Sequence, residues 1–132
     1  MQEKHLYEYA IVRIVPRVER EEFLNIGVIL YSRKPAFLQT ISCINEERLL
    51  ALYPAINLDE VNAHLQSFID ISEAKPGAGP IAQLDMASRF RWLTAKRSTI
   101  LQTSGVHPGL CNHPAEAIKK LQEQLVDCEA GS

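Results

Sequence analysis

The chain has 132 residues, 46% of them hydrophobic and 23% charged, with 14 Lys and Arg against 16 Asp and Glu. That length suits one domain over residues 1–132 that buries about two thirds of its unfolded surface without help from metal or disulfide. The composition is too apolar for a disordered chain and too evenly mixed for a membrane span, and a net charge of −2 argues against non-specific coating of nucleic acid. Cys43, Cys111 and Cys128 are odd in number and widely spaced, so they are expected as reduced thiols. The start of the chain shows no apolar run of secretory length, and a cytoplasmic location is expected.

Tyr7 to Val15 is rich in β-formers and ends at Pro16, and Phe23 to Tyr31 is an almost unbroken apolar run. Both read as strands. The short charged link between them makes an antiparallel hairpin the simplest arrangement. Strict alternation puts Leu24, Ile26, Val28 and Leu30 on one aliphatic face with Ala10, Val12 and Ile14, and leaves Arg13, Asn25 and Gly27 together on the other. Ala36 to Ile44 reads as a third strand after the turn Ser32-Arg33-Lys34-Pro35. Asn45 is placed to cap a short helix that Pro54 stops; Asn57 opens a second helix with an apolar stripe of Leu58, Val61, Leu65, Phe68 and Ile69. The breaker-rich loop Lys75 to Pro80 follows. Ser88 is placed to cap a brief helix through Leu93, Ser98 to Thr103 alternates like a last strand, and Gly105 to His113 reads as an irregular loop. Pro114 opens a final helix whose Ile118, Leu121 and Leu125 share a face. Strands early and helices late predict an α+β fold, an antiparallel sheet of about four strands with helices mainly on one face.

One stretch is unlike the rest. Met86 to Ala115 contains no Asp or Glu but carries Arg89, Arg91, Lys96 and Arg97, which leaves the remaining chain acidic. A cationic surface on an anionic protein suits a phosphate, a carboxylate or an acidic partner.

The blocks Tyr7-Glu-Tyr-Ala-Ile-Val-Arg13, Pro16, Glu22-Phe-Leu-Asn25-Ile-Gly27-Val, Arg89-Phe-Arg-Trp92-Leu, Arg97-Ser98, Gln102 and His107-Pro-Gly109 resemble the bacterial family of unknown function DUF3037 over nearly the whole chain. The resemblance brings no mechanism. It implies a neighbourhood of kinases resembling the HipA toxin, and hence such a kinase as a partner. One departure is Glu21, where relatives often place Gly before the Glu-Phe pair.

Arg13 beside Asn25 and Gly27 offers a guanidinium fork, an orienting amide and room for close approach; the plainer reading pairs Arg13 with Glu22 and spends Asn25 on the hairpin backbone. Arg97-Ser98, with Arg91 nearby, places a fork and a hydroxyl at a junction that suits phosphate; the plainer reading is a solvated face answering Glu residues elsewhere. His107, Cys111 and His113 have metal-capable donors but no paired Cys-x-x-Cys, and no metal and no cofactor are expected. Ser98 or Ser104 with His107 lacks a strained nucleophile elbow. Trp92 and Phe90 would stack bases of single-stranded nucleic acid only if both were exposed. The leading expectation is an interaction or adaptor module with an Arg-rich, anion-attracting face and no membrane contact. The alternatives are a small phosphate- or nucleotide-handling enzyme around Arg13, Asn25, Arg97, Ser98, Gln102 and His107, and single-stranded nucleic-acid binding.

Overall fold

The computed structural model describes residues 4–126 and 128. In chain order it contains β1 (His5–Ile14), β2 (Leu24–Ser32), β3 (Phe37–Ser42), α1 (Glu46–Leu52), α2 (Leu58–Ser72), α3 (Met86–Leu93), β4 (Leu101–Thr103), β5 (His107–Cys111) and α4 (Pro114–Leu125). The class is α+β, as expected. The sheet runs β3-β2-β1 in antiparallel pairs, and the far edge of β1 is shared end to end by β5, along His5 to Tyr9, and β4, along Val12 to Ile14. A fifth strand therefore occupies the segment expected as an irregular loop, and β4 starts only at Leu101 instead of Ser98. Pro108 and Gly109 disguised β5, because both are poor strand formers and Pro is tolerated only where no ladder donor is needed. Between the two edge strands, Ser104 fills the gap in the ladder. Its hydroxyl accepts from the Ile11 N–H (2.8 Å), and its own N–H donates to the Ile11 carbonyl (2.9 Å).

Strict alternation fails at one point. Val12 pairs with Gly27 but Arg13 pairs with Asn25, so Ile26 is the extra residue of a β-bulge in β2. The expected aliphatic face is therefore split. Leu24 and Ile26 join Ala10, Val12, Ile14 and Ile29 in one core, whereas Val28 and Leu30 join Ile118 and Val126 in the other. Helices α1, α2 and α3 cover the first face through Leu49, Val61, Leu65, Phe68, Phe90 and Leu93, and α4 covers part of the second. Gly27 belongs with Val12 and not with Arg13. A Cβ there would run into the Ile41 carbonyl oxygen and stand 3.1 Å from Ser42 Cα, so this glycine admits β3, not a ligand.

Local chemistry explains the helix ends. Asn45 accepts from the Arg48 N–H (3.1 Å) and Asn57 from the Glu60 N–H (3.1 Å). Asp85, not Ser88, caps α3, accepting from the Ser88 N–H at 2.7 Å. Helix α2 ends in a Schellman pair, Lys75 N–H to the Asp70 carbonyl and Ala74 N–H to the Ile71 carbonyl, with Ala74 left-handed at φ 55°. Glu21 is likewise left-handed at φ 55°, so the turn keeps a glycine-like backbone although the residue is Glu. The expectation of reduced thiols is overturned for two cysteines: Cys43, just after β3, and Cys128, just after α4, form a disulfide. Packing α4 on β2 and β3 brings two residues 85 apart in sequence to a Cα separation of 5.7 Å. Cys111 is free. No helix among the described residues is long and apolar enough to cross a membrane.

Candidate functional site: a cationic cleft beside the β2–β3 turn

The basic segment does not act as one surface. Arg89 is buried, and its Nη1 donates to the Leu84 carbonyl (2.6 Å), tying α3 to the turn before it. Arg97 lays its guanidinium 3.9 Å from the Trp92 ring centroid and donates to the Trp92 carbonyl, and burial holds its pKa below the usual arginine range. Phe90 is buried and stacks on Tyr31, with ring centroids 5.4 Å apart. The paired aromatic exposure required for stacking nucleic-acid bases on Phe90 and Trp92 is therefore absent. Lys96 and Ser98 are exposed after α3.

Arg91 lines a cleft. That cleft, about 550 Å³, is also lined by Lys4, Leu6, Glu8, Tyr31, Arg33 and Lys34. Its construction follows from the hairpin register. Tyr7 pairs with Ser32, so the β2–β3 turn must lie beside the first residues of β1. The buried Ser32 hydroxyl then locks the two together, bonding to the carbonyl oxygens of Leu6 (3.1 Å) and Lys34 (3.0 Å). The Tyr31–Phe90 stack brings α3, and with it Arg91, against the same strand end. Four cationic side chains thus line the cleft with one described carboxylate, Glu8, while Asp85 at the start of α3 acts on Arg91 electrostatically. Among the described residues none of the four is in an ion pair, in contrast to Arg17–Glu19, Arg20–Glu22, His64–Glu60 and Lys75–Asp70. At the rim, Leu6 and its cross-strand partner Leu110 are exposed at 63% and 64%, an apolar pair left in water.

The second polar group forms a row on the opposite face. Arg13 has Asn25 and Gln102 as its cross-strand neighbours, so these three expected site residues are together. Arg13 does not pair with Glu22, which is held by Arg20 at 2.6 Å; its guanidinium stacks 4.2 Å from the Phe23 ring centroid, and burial lowers its pKa. Asn25 Nδ2 donates to the Leu125 carbonyl at the end of α4 (3.3 Å), instead of serving the hairpin. Gln102 Nε2 donates to the Thr99 carbonyl (2.9 Å). His107 lies on β5 beside Tyr9, ring centroids 5.4 Å apart. Arg97 is committed to α3, which packs on the other side of the sheet, and Ser98 lies in the connection after it. The six residues expected around one enzyme pocket are thus distributed over two faces.

The His107-Pro-Gly109 block has a packing explanation. A Cβ on Gly109 would collide with the Tyr7 ring, so the glycine lets that ring lie across β5. Burial, reinforced by Cys111 and then Tyr9, raises the Tyr7 pKa, and burial raises that of Cys111, so both are neutral in the physiological range. Ser104 is spent on the β1 ladder, and among the described residues no three of His, Cys, Asp and Glu stand together as a metal site. The residues that sequence reasoning missed are Lys4, Arg33, Lys34 and Leu6. Reading Ser32 to Pro35 only as a turn overlooked that antiparallel pairing must set its two cations against the start of β1.

Comparison with known proteins adds one finding. A family model described as a protein of unknown function, DUF3037, matches residues 9–126. No curated protein and no solved structure matches the chain.

Proposed function

We propose, for a chain that belongs to the DUF3037 family of proteins of unknown function, that it is an interaction module whose cationic cleft docks an acidic segment of a partner protein. The observation that carries this reading is the convergence of Lys4, Arg33, Lys34 and Arg91 on one cleft with no ion pair to any of them among the described residues. Clustered like charges cost free energy unless an anion is meant to answer them. The Leu6–Leu110 pair supplies an apolar anchor beside the charge, so an acidic segment bearing a large aliphatic residue fits better than free phosphate. A HipA-like kinase, the partner the family resemblance implies, is the first protein to assay, in the bacterial cytoplasm that the same reading assumes.

The test uses polyanions and an acidic peptide. Polyglutamate or phosphate should raise the thermal midpoint at low ionic strength by mass action, and less as sodium chloride screens the cleft. The Arg33→Gln, Arg91→Gln double variant should abolish that gain, whereas Arg97→Gln, whose guanidinium covers Trp92, should retain it. A wild-type midpoint indifferent to polyanions overturns the reading. An acidic peptide carrying leucine should also bind more tightly than one carrying alanine, and Leu6→Ser should erase the difference.

A further inference from the structure

Helix α4 is held against the sheet by few contacts of its own. Among the described residues, its side of the sheet has a core of four buried side chains, Val28, Leu30, Ile118 and Val126, against sixteen on the side of α1, α2 and α3. A helix of 12 residues is marginal by itself in water, and these contacts must offset the backbone entropy of holding it. Its polar contacts add little. The bond from Asn25 Nδ2 to the Leu125 carbonyl is long, at 3.3 Å, and both Asn25 Oδ1 and Gln122 Oε1 are buried with no hydrogen-bond partner among the described residues. Each stranded acceptor costs free energy that water returns once the helix lifts away.

What α4 does have is an anchor at each end. At its start the chain comes directly from β5, which is paired with β1. Beyond its other end the anchor is the Cys43–Cys128 disulfide, with Cα atoms 5.7 Å apart. This second anchor is open to solvent: Cys43 is exposed, Cys128 is half-buried, and both line a cleft of about 660 Å³ at the last turn of α4. A thiolate from outside can therefore reach the bond in the folded protein, whereas a disulfide sealed in a core must wait for unfolding.

We propose that the Cys43–Cys128 disulfide is a reducible latch on α4. One thiolate of a dithiol reductant attacks one of the two sulfurs, and the other leaves as a thiolate that takes a proton from water. The second thiol of the reductant then displaces the mixed disulfide, so the reductant ends as its own disulfide and the protein as two thiols. With the far anchor cut, α4 leaves the sheet and uncovers Val28 and Leu30 with Tyr9, Phe37 and Ile41 beside them, an apolar face made by β1, β2 and β3. The larger core on the opposite face keeps the rest of the fold in place.

Dithiothreitol, added to the full-length protein at neutral pH without denaturant, supplies the test, read by hydrogen exchange of the backbone amides. Two further cysteines should become reactive to iodoacetamide, and the amides of α4 should exchange at least about tenfold faster while those of β1 and β2 keep their protection. Reoxidation should restore the slow exchange. Cys43→Ser should show fast α4 exchange with no reductant present, and Cys111→Ser should respond as wild type does, since Cys111 lies outside the bond. A disulfide that resists dithiothreitol, or an α4 that stays protected after reduction, overturns the proposal. So does loss of protection in β1 and β2 together with α4, which would make the bond a staple of the whole fold. The wild-type sample decides all three outcomes, so a variant that fails to fold does not shelter the proposal.

Discussion

Two glycines of this chain have opposite tolerances, and the atoms that surround them say why. A Cβ at Gly27 meets backbone of β3, the Ile41 carbonyl and Ser42 Cα, which cannot move without breaking the ladder. At Gly109 it meets the end of the Tyr7 side chain, which can swing aside. Gly27→Ala should therefore lower stability by about 1–3 kcal/mol or more, as overpacking does, and Gly109→Ala by less, both read from urea unfolding midpoints. Gly109→Ala should also shift the Tyr7 and Tyr9 ring resonances, since those rings stand 6.1 Å apart. The opposite mismatch occurs at Glu21 and Ala74, which hold left-handed backbone at φ 55° where glycine would be unstrained. Glu21→Gly and Ala74→Gly should each raise the unfolding free energy by up to about 1 kcal/mol, the left-handed cost less the extra freedom glycine adds to the unfolded chain.

The helices are held by caps as much as by packing, and α3 shows how a cap couples to pH. The Ser88 backbone N–H, then its hydroxyl, holds the Asp85 carboxyl below the usual aspartate range. A lowered folded-state pKa means a contribution that is complete above the unfolded pKa and is lost as pH falls through the folded one. Asp85→Ala should therefore lower the thermal midpoint at neutral pH, and the gap to wild type should close as acidification protonates the Asp85 carboxyl, below the usual aspartate range. A gap of constant size would mean that Asp85 acts through shape and not charge.

Across the whole molecule, the Cys43–Cys128 disulfide ties the chain just after α4 to the end of β3 over a separation of 85 residues. Loop-closure entropy puts the stabilisation from a cross-link of that span at about 4.5 kcal/mol. Cys43→Ser, or wild type under reducing agent, should unfold at correspondingly lower urea concentration. An unchanged midpoint would show that packing of Ile118 and Val126 against Val28 and Leu30 suffices to dock α4.

Much of the fold was legible because short-range chemistry dictates it. Pro16 and Pro54 stop their elements, Asn45 and Asn57 cap helices by reaching N–H groups three residues on, and Pro114 opens α4. The β1–β2 hairpin was legible as well, since a charged six-residue link between two apolar runs leaves few alternatives. What failed did so where distant residues decide. The bulge at Ile26 swaps which face Val28 and Leu30 take relative to Leu24 and Ile26, and no local pattern announces it. The basic segment was visible as composition, but tertiary contacts buried Arg89 under Leu84, gave Arg97 to Trp92, and sent Arg91 to join Arg33, Lys34 and Lys4 from the other end of the sheet. By itself the sequence determined the α+β elements and the kinship with DUF3037, because caps, breakers and ordered blocks lie within reach of their neighbours along the chain. Which cations share a cleft, and which cysteines meet, was decided only by the register and packing that bring residues far apart in sequence within a few ångströms.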